Sequence, residues 1–361
     1  MRLISPHFLI RLGFSALALL NLTGSSRALT FNLIPVAGTS QQAIDGFTAA
    51  GARWSALFTD NVTVNLQIGF SALGAGILAQ AGSTQADYTY TNVRSALITD
   101  ANSADDALAI ANLPNRNGGT SFGVMMNRTT DNPNGVNSAT PFLDTTGANT
   151  NTVHMSNANA KALGLLAGNN AAQDATITFS TTFSWDFDPT DGITVGAYDF
   201  VGIAVHEIGH SLGFLSGVDI LDGNGSGFSS NAFTFVSTLD LFRRSALSVA
   251  NGGNDTIDWV ADNTNKYFSL DGGTTNLGLF SNGRNFGDGR QASHWKDNLG
   301  LGVMDPTAGT GELLTITARD IQGFDVIGWT QSIGGVAPEP GTLALALLGI
   351  PAIAALRRRR A

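Results

Sequence analysis

The segment VGIAVHEIGHSLGFLSGVD, residues 201–219, sets two histidines four positions apart with a glutamate beside the first. Asp199 is a good N-cap residue, and FVGIAVHEIGHSLGF after it predicts a helix whose apolar surface is Val201, Ala204, Val205, Ile208 and Leu212. Four helical residues turn the chain by about 400°, so His206 and His210 project from one face, one turn apart, and both reach a single ion. Zinc favours imidazole ligands in a tetrahedral site, and a catalytic zinc leaves one position for water. Glu207 is placed to take the proton of that water rather than to bind metal. The chain has three glutamates (Glu207, Glu312 and Glu339) against 25 aspartates, so aspartate is its ordinary acid and the longer side chain here stands out. Gly213 suits a left-handed turn that ends the helix and redirects the chain toward the metal.

Two imidazoles do not complete a site, and the inventory of further ligands is short. Besides His7, near the N-terminus, the remaining histidines are His154 and His294. His154, in NTVHMSNAN, has neither ligand spacing nor a supporting motif. Glu312 sits in GTGELL with no helical motif around it, and Asp219 is a carboxylate candidate of a kind that His-rich catalytic zinc sites use less often. His294 has richer surroundings: GDGRQASHWKDNLGLGVMDPTAG places Met304 ten residues after it, in a Gly-Val-Met-Asp-Pro turn.

HEIGHSLGF resembles the active-site helix of the metzincin proteases. In that family the third ligand usually follows the glycine by three residues, which here is Ser216, a poor zinc ligand. The order HEIGH, Gly213, about eighty intervening residues, SHW, then VMDP is similar to the leishmanolysin branch, where a long insertion separates the third histidine from the helix. That resemblance implies a zinc site of His206, His210 and His294, with Glu207 as the general base and Met304 in a methionine turn beneath the ligands. It spans Asp199 to Thr307 in its motifs and has nothing diagnostic before Ala175. The implied fold is α+β and zincin/metzincin-like. An N-terminal subdomain, 29–215, would carry a twisted mixed sheet with the HEIGH helix beneath it, and a smaller loop-rich subdomain, 216–335, would contribute His294 and Met304. The chain departs from the leishmanolysin pattern in having no cysteine, which rules out cysteine-switch latency, and no tyrosine closely follows Met304.

Local patterns fill in this outline. Ile44, Phe47, Trp54, Leu57 and Phe58 recur at helical spacing from about Ser40, VTVNLQIGF (62–70) alternates as a strand, and NSADDALAIANLP reads as a helix capped by Asn102 or Ser103. ATITFSTTFSWDFD alternates Ile177, Phe179, Phe183, Trp185 and Phe187 with polar residues. A strand over 175–187, lying along the cleft where a peptide could pair with it, is therefore expected. From 228 to 298 the Gly, Asn, Ser and Asp content predicts loops and short elements. DFDPTDG (186–192) and DILDGNGSG (219–227) offer oxygen donors of the type calcium uses. Neither has a closing glutamate of the EF-hand loop, and Asp- and Gly-rich turns are the other reading of each.

A chain of 361 residues with 43% hydrophobic content can bury a large core, and its 19 basic against 28 acidic residues argue against nucleic acid as a partner. Seven of the basic residues lie at the two ends. At the start, Arg2 and Arg11 precede an apolar run and then SRA at 26–28, the pattern of a secretory signal over 1–28. At the other end, Pro338-Glu339-Pro340, an apolar run and Arg357 to Arg360 together resemble a PEP-CTERM sorting tail over 336–361. That resemblance implies export across the inner membrane of a Gram-negative bacterium, transient membrane association and cleavage by an exosortase-type enzyme. The expected protein is a secreted zinc endopeptidase acting on protein or peptide substrates. The rival reading is an envelope or matrix surface protein with a structural zinc.

Overall fold

Residues 29–332 are described by the structure, a computed structural model. The expected signal segment and sorting tail lie outside the described residues. The elements before the histidine helix are strand β1 (Thr30–Pro35), helix α1 (Gln41–Ser55), strands β2 (Thr63–Ser71), β3 (Ala79–Ser83) and β4 (Gln85–Thr89), helices α2 (Tyr90–Asp100) and α3 (Ala104–Ala111), strands β5 (Gly123–Met126), β6 (Phe142–Asp144) and β7 (Thr152–Ser156), helix α4 (Asn157–Ala162), and strands β8 (Ala175–Ser180), β9 (Trp185–Asp186) and β10 (Tyr198–Asp199). Helix α5 (Phe200–Leu212) carries His206 and His210.

The main sheet has the order β1-β2-β8-β3, with β1, β2 and β8 parallel and β3 antiparallel to β8. Helix α1 starts where Ser40 Oγ accepts the Ala43 N–H at 3.2 Å, and its buried face repeats at Ala43, Phe47, Ala50 and Trp54. That face packs on α5, and the Trp54 indole donates to Val205 O at 3.0 Å, so the two helices are fixed in rotation and in height. Phe47, Phe70, Phe179 and Phe200 fill the space between helices and sheet, with the Phe179 and Phe200 rings 4.4 Å apart.

After α5 the regular elements are short: α6 (Val218–Asn224), β11 (Arg243–Arg244), α7 (Ala246–Gly252), β12 (Thr256–Asp258), β13 (Lys266–Phe268), β14 (Gly278–Phe280) and α8 (Ala318–Asp325). They form small sheets, β12-β5-β6 and β11-β13-β14, and the first of these reaches back into the N-terminal half. One buried apolar cluster runs from Leu29 to Trp329 across both halves. The architecture is thus mixed α+β with several small sheets.

One expectation is corrected. The strand foreseen over 175–187 ends at Ser180, because Ser180 Oγ accepts the Thr182 N–H at 3.3 Å and turns the chain away from the ladder. The apolar–polar alternation of the sequence resumes after the turn at Phe183 and Trp185, which is why the sequence read as one strand. Moreover, β8 lies inside the sheet between β2 and β3, so it has no free edge. The edge on the side of the cavity belongs to β3, in a glycine- and alanine-rich stretch whose pattern gave no strand signal.

Candidate metal centre

Helix α5 is built as its sequence suggests. Asp199 Oδ1 accepts the Gly202 N–H at 2.8 Å, and Gly213, at φ 118°, adopts the left-handed conformation that lets the chain leave the helix toward Phe214. The ligand helix is almost wholly buried, so its histidines are presented from a rigid base.

The structure brings His294 to the same point. His210 Nε2 lies 3.1 Å from His206 Nε2 and 3.1 Å from His294 Nε2, and His294 and His206 are 3.3 Å apart. A tetrahedral site with nitrogens at about 2.0–2.1 Å from its ion has ligand edges of about 3.3 Å, so the triangle has the dimensions of one face of a tetrahedral metal site. The opposite ring nitrogens decide the tautomers. Nδ1 of His206 faces Val303 O at 2.7 Å, Nδ1 of His210 faces Phe214 O at 2.8 Å, and Nδ1 of His294 faces Gln291 O at 3.2 Å. A carbonyl oxygen only accepts, so each Nδ1 carries the proton and each neutral ring turns a bare Nε2 lone pair to the centre. Burial holds all three rings below the usual imidazole pKa, His210 at about 3, so protonating a ring does not relieve the crowding. Three converging lone pairs repel one another unless a cation lies between them. The donor set fits a metal ion, and it is the one group of three such side chains with converging ligand atoms among the described residues.

Glu207 is 5% exposed and opens on the same cavity of about 640 Å³ as the histidines. Burial pushes its carboxyl up to about 8, and a cation at the centre of the triangle would draw it down again. Met304 lies under the ligands, fully buried, with its sulfur against Gly209: a Cβ built on Gly209 would stand 2.5 Å from Met304 Sδ. The cavity wall includes Ala79 to Gly82 of β3, the apolar Ile77, Phe183 and Leu215, the phenol of Tyr198, and the cationic Arg284 and Arg290.

No family model matches the chain, and no curated protein or solved structure matches it. The centre therefore rests on its own geometry. The other ligand candidates have different partners. His154 Nδ1 is 2.5 Å from Asp87 Oδ1 and its ring packs edge-on to Phe235. Glu312 accepts the Gly309 N–H within an exposed turn. Asp219 accepts the N–H groups of Ala292 and Ser293 at 2.6 and 3.1 Å, so it binds the chain next to His294 instead of a metal. In the two segments weighed for calcium, carboxylates accept hydrogen bonds from the chain itself. Asp186 accepts from Asp188 and Thr194, and 219–227 is largely helical, with Asp222 accepting from Asn285 and Phe286.

Sequence reading missed the carboxylates that fix the loops. Asp240 accepts from Ser216 Oγ, Gly217 N and Ser237 N. Asp320, fully buried, accepts from Val303 N, Met304 N, Thr317 N and the Trp295 indole. With 25 aspartates in the chain, no local signal separates these from solvated ones.

Proposed function

We propose that the chain is a zinc-dependent endopeptidase of metzincin-like fold, with His206, His210 and His294 as ligands and Glu207 as general base. The observation that carries this reading is the triangle of unprotonated Nε2 atoms with an acid, Glu207, opening beside it on a cleft. A closed structural site needs a fourth protein ligand, and among the described residues three converge. The cleft wall suits an extended peptide. Strand β3 pairs with β8 on one side only, and its other edge faces the cavity, so a substrate strand would bond to its main chain.

A bound zinc would supply Lewis acidity toward the scissile carbonyl and lower the pKa of a water from about 15.7 toward 7. Glu207 takes a proton from the attacking water and passes it to the departing amine. The Val303, Phe214 and Gln291 carbonyls hold the rings with Nε2 forward, so the ligands need no reorganisation. Met304 and Phe324 support α5 from below at Gly209.

The two ends extend the reading to location. A cleaved signal and an exosortase-processed tail would leave an acidic catalytic unit outside the inner membrane. No helix among the described residues is long and apolar enough to cross a membrane. Mass spectrometry of the native protein is expected to find no peptide containing Arg357 to Arg360; its presence in most molecules would make the tail a permanent anchor.

The activity is tested with casein. Wild-type protein should digest it, a chelator should stop digestion and zinc should restore it. Glu207→Ala should keep one zinc per chain and lose activity by about a hundredfold or more. Digestion by Glu207→Ala at the wild-type rate would overturn the assignment.

A further inference from the structure

The third ligand reaches the site from a loop 84 residues beyond His210, and the chain on the near side of that loop is held by one acid. Asp219 sits in the first turn of α6, just after the segment in which a nearer ligand would have come. Its Oδ1 accepts the Ala292 N–H at 2.6 Å, and its Oδ2 accepts both the Ser293 N–H at 3.1 Å and the Ser293 hydroxyl at 2.6 Å. Ser293 Oγ in turn accepts the Ser216 N–H at 2.9 Å. On the far side of the same peptide, Arg243 donates to Ala292 O at 3.2 Å and to Ser281 O at 2.5 Å. The two residues before His294 are therefore gripped at both N–H groups and one carbonyl, within a buried cluster that also includes Asp240.

We infer that Asp219 is the positioning residue for the third metal ligand: it docks Ala292 and Ser293 on the first turn of α6, shortly after the end of the ligand helix, and so delivers His294 to the two histidines. Ser216, which occupies the place of a near third ligand, serves as the docking point for the distant one. The inference rests on the metal reading above but is a separate claim about how the site is assembled. Asp219 touches neither the metal triangle nor the reacting atoms, and acts through Ser293 and Ala292.

The same helix provides a matched control. Asp222, one turn on, accepts the backbone N–H groups of Asn285 at 2.7 Å and Phe286 at 2.9 Å, a contact of the same chemistry placed eight or more residues from His294. Asp219→Ala and Asp222→Ala should therefore both lower the melting temperature of the metal-free protein, while metal affinity separates them. The measurement is zinc competition against a chromophoric chelator, on full-length folded protein, together with the visible spectrum of the cobalt-substituted form. Asp219→Ala is expected to weaken zinc binding by about 10- to 100-fold, with a change in the cobalt bands as His294 is lost from the ligand set. Asp222→Ala is expected to stay within about threefold of wild type, a smaller effect than that of a lost second contact to a ligand. Ser293→Ala, which removes a hydroxyl and keeps both N–H contacts, should fall between them and guards against a variant that does not fold.

Unchanged zinc affinity and cobalt spectrum in folded Asp219→Ala or in Ser293→Ala would overturn the positioning role while leaving the metal site standing. Equal losses in Asp219→Ala and Asp222→Ala would also overturn it, since general loosening of the loop would then explain both. Failure of the wild-type protein to bind either metal would remove both readings together.

Discussion

Residues 29–215 and residues 216–332 are stabilised by different means, although one apolar cluster runs through both. In the first region hydrophobic periodicity and hydrogen-bonded ladders place α1, the main sheet and α5, and buried Asp60, Asp174 and Asp199 add backbone N–H acceptors to that frame. In the second, strands of two or three residues cannot fix long loops, and buried aspartates that accept backbone N–H groups take over. Asp222, Asp240, Asp258 and Asp320 do so, and half-buried Asp219 does the same. A buried carboxylate is costly to desolvate, and two or three N–H donors offset that cost only in one arrangement of the loop. The difference teaches why a candidate metal site can combine a helix with an irregular segment: the helix rests mainly on packing, whereas the loop needs acceptors aimed at particular peptides.

The largest effect should come from removing one acceptor in the second region and one core ring in the first. Asp320→Ala strands the Val303, Met304 and Thr317 N–H groups and the Trp295 indole. At roughly 1–3 kcal/mol for each buried unsatisfied group, a loss of about 4 kcal/mol or more is expected. Phe179→Ala should cost about 3–5 kcal/mol through its cavity. Urea denaturation measures both, and zinc analysis breaks the tie: Phe179→Ala should keep its metal, and Asp320→Ala should lose it. If Phe179→Ala loses zinc equally, the division of labour between the regions fails.

Gly209→Ala tests the seam between the regions. Its new methyl would press on Met304 Sδ, and displacement of that side chain should cost about 1–3 kcal/mol, seen by denaturation. Met304→Leu, similar in volume, should cost less than about 1.5 kcal/mol and leave zinc near stoichiometric. A Leu variant that cannot bind zinc would assign the sulfur a chemical role.

The smallest effect concerns pH. Asp100 and Asp325, where α2 and α8 come together, are each raised to about 7, by burial first and by neighbouring carboxylates as well. Both native groups bind a proton that the unfolded chain, with an ordinary carboxyl pKa near 3.9, does not hold. Their contribution is therefore whole below about pH 3.9 and is lost progressively as pH rises to about 7. The buried histidines act oppositely: the unfolded chain gains protons below about 6.5 that the native rings refuse, so they destabilise on acidification. Between pH 6.5 and 8 the carboxyls dominate. Asp100→Asn should raise the melting temperature of the metal-free protein at pH 8 by a few degrees and raise it by less at pH 5. An equal shift at both values would show that Asp100 does not titrate in this window.

Sequence reading was most informative where a side-chain pattern repeats. The α1 and α5 faces, Ser103 as one of the two caps foreseen for α3, and the pairing of His206 with His210 all follow from spacings that the structure keeps. His294 came from a short inventory and a resemblance, and its position beside the pair agrees with that choice. The edge strand β3 was not legible, because AQAGS has no alternation of large apolar residues. Neither was the network of aspartates, since a carboxylate acquires its role from the peptide it meets across the fold, and Asp219 looked more like a ligand than a brace.

The 84-residue separation of His210 and His294 has a consequence for the unfolded chain. Closing a flexible loop of that length costs about 4 kcal/mol of chain entropy by the logarithmic estimate. Before folding, an ion therefore finds His206 and His210 within one turn but not the third imidazole, and holds to two ligands at best. Most of the affinity for the ion belongs to the native state alone, so occupancy should slow the loss of the fold as well as deepen its stability. With no cysteine in the chain to close a disulfide, the lifetime of the fold would then be tied to how seldom that ion departs.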